Sequence, residues 1–99
     1  REFALQQNYP NPFNPSTIIN YQLSTDSYVK LKVYNVLGQE VASIVDEVQD
    51  AGYKSVEWNS TDLSGKSVAS GVYVYRLEAV SQADPSKSFS QIRKMILMK

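Results

Sequence analysis

Histidine and cysteine are both absent from the 99 residues. Their absence excludes histidine-based catalytic triads, thiol nucleophiles, zinc sites of the Cys/His kind and disulfide bonds within the chain. The chain also has no formal net charge, because ten basic residues balance ten acidic ones. A basic field that would attract nucleic acid is therefore not expected. No apolar run approaches the roughly 18 residues that a membrane helix needs, so we expect no membrane span.

The length and composition suit one small globular domain. The chain has 99 residues, of which 42% are hydrophobic and 20% charged, values that are ordinary for a folded domain. It starts with Arg1 rather than Met, so we expect a piece of a longer protein. Residues 1–7 lack the apolar stretch that a signal peptide requires.

Most of the chain alternates with a period of two, which predicts β-strands. In the clearest strand, Val29, Leu31 and Val33 alternate with Tyr28, Lys30, Lys32 and Tyr34. Further strands are predicted at residues 17–23, 40–45, 52–58, 71–80 and 88–98, with Trp58 in the core. Turn residues recur between them about every ten positions, which favours a β-sandwich or barrel. Residues 41–48 also allow a helix of two turns, and that alternative stays open.

The first 16 residues differ in composition from the rest. Three prolines lie within residues 8–15, and proline fixes φ and cannot donate a hydrogen bond to a sheet. We expect residues 1–16 to form a stiff lead-in or linker and residues 17–99 to form the sandwich, with Tyr9 and Phe13 able to pack on its end. The alternative is a proline-rich ligand for an aromatic groove.

Five segments of the sequence, in this order, are similar to segments of a known protein family. They are Asn-Tyr-Pro-Asn-Pro-Phe-Asn-Pro-Ser-Thr-Ile-Ile at residues 8–19, Val-Tyr-Asn-Val-Leu-Gly-Gln-Glu-Val at 33–41, Ala-Gly at 51–52 followed by Val-Glu-Trp-Asn at 56–59, Val-Ala-Ser-Gly-Val-Tyr-Val-Tyr-Arg-Leu at 68–77 and Lys-Met-Ile-Leu-Met-Lys at 94–99. The ordered set resembles the type A C-terminal sorting domain of the type IX secretion system. The immunoglobulin-like domain of the flagellar hook-capping protein has a similar pattern, and the terminal Lys-Met-x-Leu-x-Lys favours the sorting domain.

Two departures from the family pattern concern loops. Asn59 and Ser60 stand where the family commonly has Asp-Gly, and the loop at residues 82–88 is longer and more polar than its usual hairpin. Both leave the terminal motif unchanged. Pattern and resemblance together predict an all-β, immunoglobulin-like antiparallel β-sandwich of about seven strands.

The resemblance implies a non-catalytic domain that directs a larger cargo protein across the outer membrane of a Gram-negative bacterium. It implies passage through the periplasm, and then surface attachment or release. The implied partners are the outer-membrane secretion machinery, a sortase-like surface protease that removes the domain, and an upstream cargo domain in the same chain. We expect no cofactor. The alternatives are a carbohydrate- or surface-binding module, or a structural spacer, of a secreted enzyme.

Two rival sites have weaker support in the sequence. Asp46, Glu47 and Asp50 could offer oxygen ligands to Ca²⁺, but their spacing does not match an EF-hand loop. Tyr28 and Tyr34 share an expected exposed face with two lysines, and such a face can stack sugars. We expect neither site, and no catalytic residue.

The expected recognition surface is the terminal strand and the segment predicted to pair with it. Lys94 and Lys99 frame an apolar strand end that could be offered to a receptor, while lysines on an edge strand also discourage aggregation. The candidate partner-recognition residues are Gly71, Val72, Tyr73, Lys94, Met95, Leu97 and Lys99.

Overall fold

The computed structural model describes residues 2–99, which form seven strands joined by loops. The strands are β1 (Ala4–Leu5), β2 (Thr17–Leu23), β3 (Ser27–Tyr34), β4 (Glu40–Gln49), β5 (Gly52–Trp58), β6 (Gly71–Ser81) and β7 (Ser88–Leu97). Residues 41–48, for which a helix was an alternative, lie within β4. None of the residues described forms a helix able to cross a membrane.

Two antiparallel sheets face each other across one core. The first has the strand order β1-β2-β5 and the second has the order β4-β3-β6-β7. The chain crosses between the sheets three times, from β2 to β3, from β4 to β5 and from β5 to β6. This arrangement is the immunoglobulin-like β-sandwich of about seven strands that the sequence predicted.

The alternating strands face the directions that were predicted. In β3, Val29, Leu31 and Val33 are fully buried while Tyr28 and Lys30 are exposed. The inward side chains of the neighbouring strands are Ile19, Tyr21 and Leu23 of β2 and Tyr73, Tyr75, Leu77 and Ala79 of β6. One face of each strand therefore forms the core, and the other face meets water.

β4 is longer than the predicted segment and less regular. Its pairing with β3 shifts register between Leu31 and Lys32 and again between Val33 and Tyr34. Such bulges add a residue to one strand and change which side chains face inward. Ala42 and Val45 are both buried although they are three positions apart. The bulges therefore explain why the facing of this segment could not be assigned from period two alone.

The lead-in contributes to the folded sandwich. Leu5 of β1 and Phe13 are both within the core, and Phe13 lies 5.9 Å from Trp58 between ring centroids. β1 pairs with the outer side of β2 and forms one edge of the three-stranded sheet. The domain boundary after residue 16 stays a prediction.

Trp58 and the last strand complete the core. Trp58 is buried, and its ring meets Tyr73 edge-on with centroids 5.7 Å apart. In β7, Met95 and Leu97 point inward, whereas Ile92 and Ile96 point outward. The terminal strand thus has apolar side chains on both faces.

Candidate functional site

The seven predicted recognition residues come together where the start of β6 pairs with the end of β7. Gly71 is opposite Leu97, Tyr73 is opposite Met95, and Val72 is opposite Ile96. The prediction that this segment of β6 pairs with the terminal strand is therefore confirmed. We call this region the β6–β7 end.

Three of the seven side chains are buried in the folded domain. Met95 and Leu97 are at most 1% exposed, and Tyr73 is buried against Trp58. The Tyr73 hydroxyl donates a hydrogen bond to the carbonyl of Ala69 at 2.6 Å, and burial raises the pKa of this phenol. These three side chains shape the β6–β7 end from inside.

Lys99 is bound to the loop that precedes β6. Its backbone N–H donates to Ser70 Oγ at 2.9 Å. Its ammonium donates to Ser67 Oγ and to the carbonyl of Val68. The side chain of Lys99 therefore fastens the chain end onto this loop. Lys94, by contrast, is exposed on the outer face of the sheet.

The lead-in closes the free edge of β7 with backbone hydrogen bonds. Phe13 N–H donates to Ile96 O and Met98 N–H donates to Phe13 O, both at 3.0 Å, which forms a short parallel bridge at Leu97. The N–H of Ile96 donates to Asn11 Oδ1 at 3.0 Å. The outward backbone groups of this strand end are thus already paired within the domain.

Two side-chain hydrogen bonds join further positions of β7 to the lead-in. Gln7 Nε2 donates to the carbonyl of Lys94 at 2.8 Å, and Arg93 Nε donates to the carbonyl of Leu5 at 2.6 Å. Recognition by adding β7 to a partner's sheet would require these bonds to be broken. Gln7 and Asn11 did not stand out in the sequence, because nothing in a proline-rich segment signals which amide will meet a strand 85 residues away.

The strands at the other side of the sandwich also resist edge-to-edge pairing. β4 is bulged and carries Asp46 and Glu47, and β5 directs Lys54 towards the sandwich interior, where it is half-buried. Bulges and inward charges are known devices against sheet aggregation. Side chains on the sheet faces are therefore the groups that this domain offers to a partner.

Charge is separated between the two outer strands of the four-stranded sheet. Residues 40–50 contain four acidic residues and no basic one, while residues 88–99 contain three basic residues and no acidic one. The β7 side of the sandwich is accordingly positive, although the whole chain is neutral. A field of this kind orients an acidic partner towards β7.

The tyrosine face does not form one continuous platform. Tyr28 and Tyr34 lie six positions apart on β3, which separates them by roughly 20 Å at about 3.4 Å per residue. Tyr28 donates its hydroxyl proton to Asp46 at 2.5 Å, and this hydrogen bond raises the pKa of Tyr28. Each ring lies beside valines of the adjoining strand, Val80 and Val74. The geometry therefore gives little support to sugar stacking.

The acidic side chains form hydrogen bonds with nearby residues of the domain. No cluster of three or more carboxylates suited to a metal ion occurs in residues 2–99. Asp62, in the loop after β5, accepts hydrogen bonds from the backbone N–H of Lys66 and from Ser64, and these bonds lower the pKa of its carboxyl group. Asp62 thus stabilises the turn formed by residues 62–66.

A shallow groove, which the sequence did not reveal, adjoins the β6–β7 end on the outer face of the larger sheet. It has a volume of about 340 Å³ and is lined by Tyr34, Val36, Val74, Arg76 and Ile92, with Asn35 and Gly38 at its margin. We call it the outer groove. The alternation of the terminal strand, which directs Ile92 outward when Met95 and Leu97 point inward, indicates only the β7 part of this groove.

Residues 13–83 match the family model of the FlgD Ig-like domain. No curated protein matches the chain in sequence. The immunoglobulin-like relation expected from the sequence is confirmed by this match.

Solved structures of three bacterial proteins contain the same fold. A region of dimeric latent PorU from Porphyromonas gingivalis superimposes with a TM-score of 0.75 at 20% identity, over 99% of this chain and 10% of that one. FlgD from P. aeruginosa gives 0.63 at 23% identity, over 82% and 59%. PorZ, a surface component of the type IX secretion system of P. gingivalis, gives 0.56 at 19%, over 98% and 11%. The chain thus spans about a tenth of PorU and PorZ.

Proposed function

The chain belongs to the FlgD Ig-like domain family, and on that premise we propose that it is a non-catalytic C-terminal sorting domain of the type IX secretion system. The domain directs a larger cargo protein through the periplasm and across the outer membrane of a Gram-negative bacterium. Its partners are the outer-membrane secretion machinery, a sortase-like surface protease and the cargo domain upstream. The cargo is attached to the surface or released.

The observation that carries the proposal is the position of the terminal motif, Lys-Met-Ile-Leu-Met-Lys at residues 94–99. Its two lysines lie at the β6–β7 end, with Lys94 exposed and Lys99 fastened to the preceding loop, while Met95 and Leu97 anchor the strand in the core. The motif is therefore both a structural strand and the basic end of the sandwich. The likeness in fold to regions of PorU and PorZ supports the same assignment.

The experiment is an export assay with the 99-residue chain as a fusion. A reporter with a signal peptide is joined to the N-terminus of the chain and expressed in a host with the type IX translocon and in the same host without it. We expect the reporter on the surface or in the medium only when the translocon is present. A folded fusion that stays in the periplasm of both strains would contradict the proposal and favour a structural spacer.

Lys94 is tested by itself because the structure gives it and Lys99 different surroundings. Lys94→Ala removes an exposed ammonium and keeps the backbone carbonyl that Gln7 binds, so stability should change by no more than about 0.5 kcal/mol. We expect reduced export for Lys94→Ala and unchanged export for Lys87→Ala, an exposed lysine in the loop before β7. Equal export of both variants would remove Lys94 from the signal.

A further inference from the structure

The outer groove is an apolar site at one end of a sheet face whose middle is charged. The middle of that face alternates charges across the strands, since Lys30 is opposite both Asp46 and Glu78. Towards the turn that joins β3 to β4, the face becomes apolar. There Ile92 is 59% exposed and Val36 73% exposed, on either side of Tyr34 and Val74.

Contiguous apolar residues extend the groove along the start of β6 and the end of β7. Val72 and Ile96 are opposite each other on the same outer face and are both more than a third exposed. A cross-strand pair of this kind gains stability when it is covered. Exposed contiguous apolar surface with a polar margin is typical of interaction sites.

The charges at the margin indicate what would cover the groove. Arg76 lines it and Lys94 is opposite Val74 at its side. The nearby acids are engaged, because Glu78 lies 3.4 Å from Arg76 and Glu40 lies 3.2 Å from Lys32. These four charges cancel, and Lys94 adds a positive charge. A carboxylate is therefore the complementary group.

We propose that the outer groove binds an acidic, apolar peptide segment of a partner protein, with its apolar side chains against Val74 and Ile92 and a carboxylate towards Lys94. The inference rests on the proposed sorting function and names the surface that the partner contacts. The segment lies across the face of the sheet, because the adjoining edge of β7 is closed by the lead-in. The positive β7 side accelerates its approach by electrostatic steering.

A sugar fits the groove less well than a peptide does. Tyr34 is its one aromatic residue, and Val36, Val74 and Ile92 supply most of the remaining side-chain surface beside Arg76 and Asn35, whereas sugar sites combine stacked rings with many polar groups. A second copy of the chain could offer its acidic strand β4. A head-to-tail contact of that kind would produce a ring or an open chain of molecules. Self-association is therefore an outcome that the test must detect.

The binding experiment uses the 99-residue protein and two short synthetic peptides. In one, Asp alternates with Val and Leu; in the other, Lys replaces every Asp. We expect saturable amide shifts at the outer groove with the acidic peptide, a weaker effect with the basic one, and loss of affinity as salt rises. Ile92→Ser should weaken binding about tenfold or more. Shifts elsewhere, equal binding of both peptides, or shifts that appear with protein concentration alone would overturn the proposal.

The export assay then separates this proposal from the one on which it rests. Ile92→Ser and Val74→Thr change the groove, whereas Val48→Ser changes an exposed valine at the far end of the same face. We expect export to fall for the groove variants and to persist for Val48→Ser, with unfolding midpoints close to the original in all three. Normal export of the groove variants overturns the groove proposal alone. Failure of the unsubstituted fusion to travel overturns the sorting function.

Discussion

The hydroxyl of Tyr75 accepts a hydrogen bond from the backbone N–H of Asn8 at 2.8 Å. The same hydroxyl donates to the carbonyl of Gln6 at 2.7 Å. Tyr75 belongs to β6 in the middle of the larger sheet, while Gln6 and Asn8 follow β1. One phenol thus ties the lead-in to the opposite sheet, across 67 positions of sequence.

Replacing this phenol should destabilise the domain without altering its shape. Tyr75→Phe keeps the ring and removes both hydrogen bonds, which leaves the buried N–H of Asn8 without this partner. We expect a loss of about 1–3 kcal/mol in the free energy of unfolding, measured by denaturant titration. Tyr53→Phe, at a tyrosine that is 82% exposed, is the control and should leave the midpoint unchanged. An equal effect of both changes would contradict the bridging role of Tyr75.

Alkaline pH should weaken the fold through two tyrosines. Burial raises the pKa of Tyr21 and of Tyr75 from 10.0 to about 12. A group that holds its proton more tightly when folded stabilises the folded state below its unfolded pKa, and that contribution is lost as pH rises towards the folded value. Unfolding midpoints should therefore fall between pH 10 and about 12.

The variants provide the check on that assignment. Tyr75→Phe should show a smaller decline over this interval, and Tyr53→Phe should show the original decline. Circular dichroism during denaturation at each pH measures both. A decline that is unchanged in Tyr75→Phe would show that other groups cause the alkaline loss.

The lead-in can be tested as a part of the core. Phe13 is buried against Trp58, whereas Tyr9 in the same segment is 78% exposed. Phe13→Ala should cost about 3–5 kcal/mol, a large share of the stability of a domain of this size. Tyr9→Ala should change it by no more than about 0.5 kcal/mol. Equal denaturation midpoints for the two variants would show that residues 1–16 are a mere linker.

Ser60 carries a backbone conformation that normally belongs to glycine. Its φ is +64°, its side chain is fully buried, and its hydroxyl donates to the carbonyl of Pro15. A non-glycine residue in this left-handed region costs about 1–2 kcal/mol. Ser60→Ala keeps that cost and loses the hydrogen bond, while Ser60→Gly loses the bond and removes the cost.

We therefore expect Ser60→Gly to be more stable than Ser60→Ala by about 1 kcal/mol or more in denaturant titrations. The position is one where the resembled family commonly has glycine, and the hydrogen bond to Pro15 accounts for serine here. If the two variants unfold at the same denaturant concentration, residue 60 does not adopt the left-handed conformation.

The sequence was sufficient for the fold because its strands obey a local rule. Val29, Leu31 and Val33 alternate with polar residues, and one buried face per strand determines which side meets the core. The burial of Trp58 was predicted for the same reason. Pairing of the β6–β7 end was also predicted, since both segments carry complementary apolar faces.

The features that the sequence did not reveal depend on distant contacts. Bulges in β4 interrupt the period that would have shown its facing. The bonds from Gln7 and Asn11 to β7 join residues at opposite ends of the chain. The outer groove combines side chains of three strands and a turn, so no single segment contains its pattern.

The bridge between Phe13 and Leu97 has a consequence for how the chain acquires its structure. Contacts between such distant positions form late, because the intervening loop must first be closed at an entropic cost. While residues beyond Met95 are still held in a ribosome or a translocation pore, Phe13 lacks its partner strand and the core stays incomplete. The core of this domain is therefore completed only after Leu97 has left the ribosome or the pore, and a chain interrupted before Leu97 remains open to proteolysis.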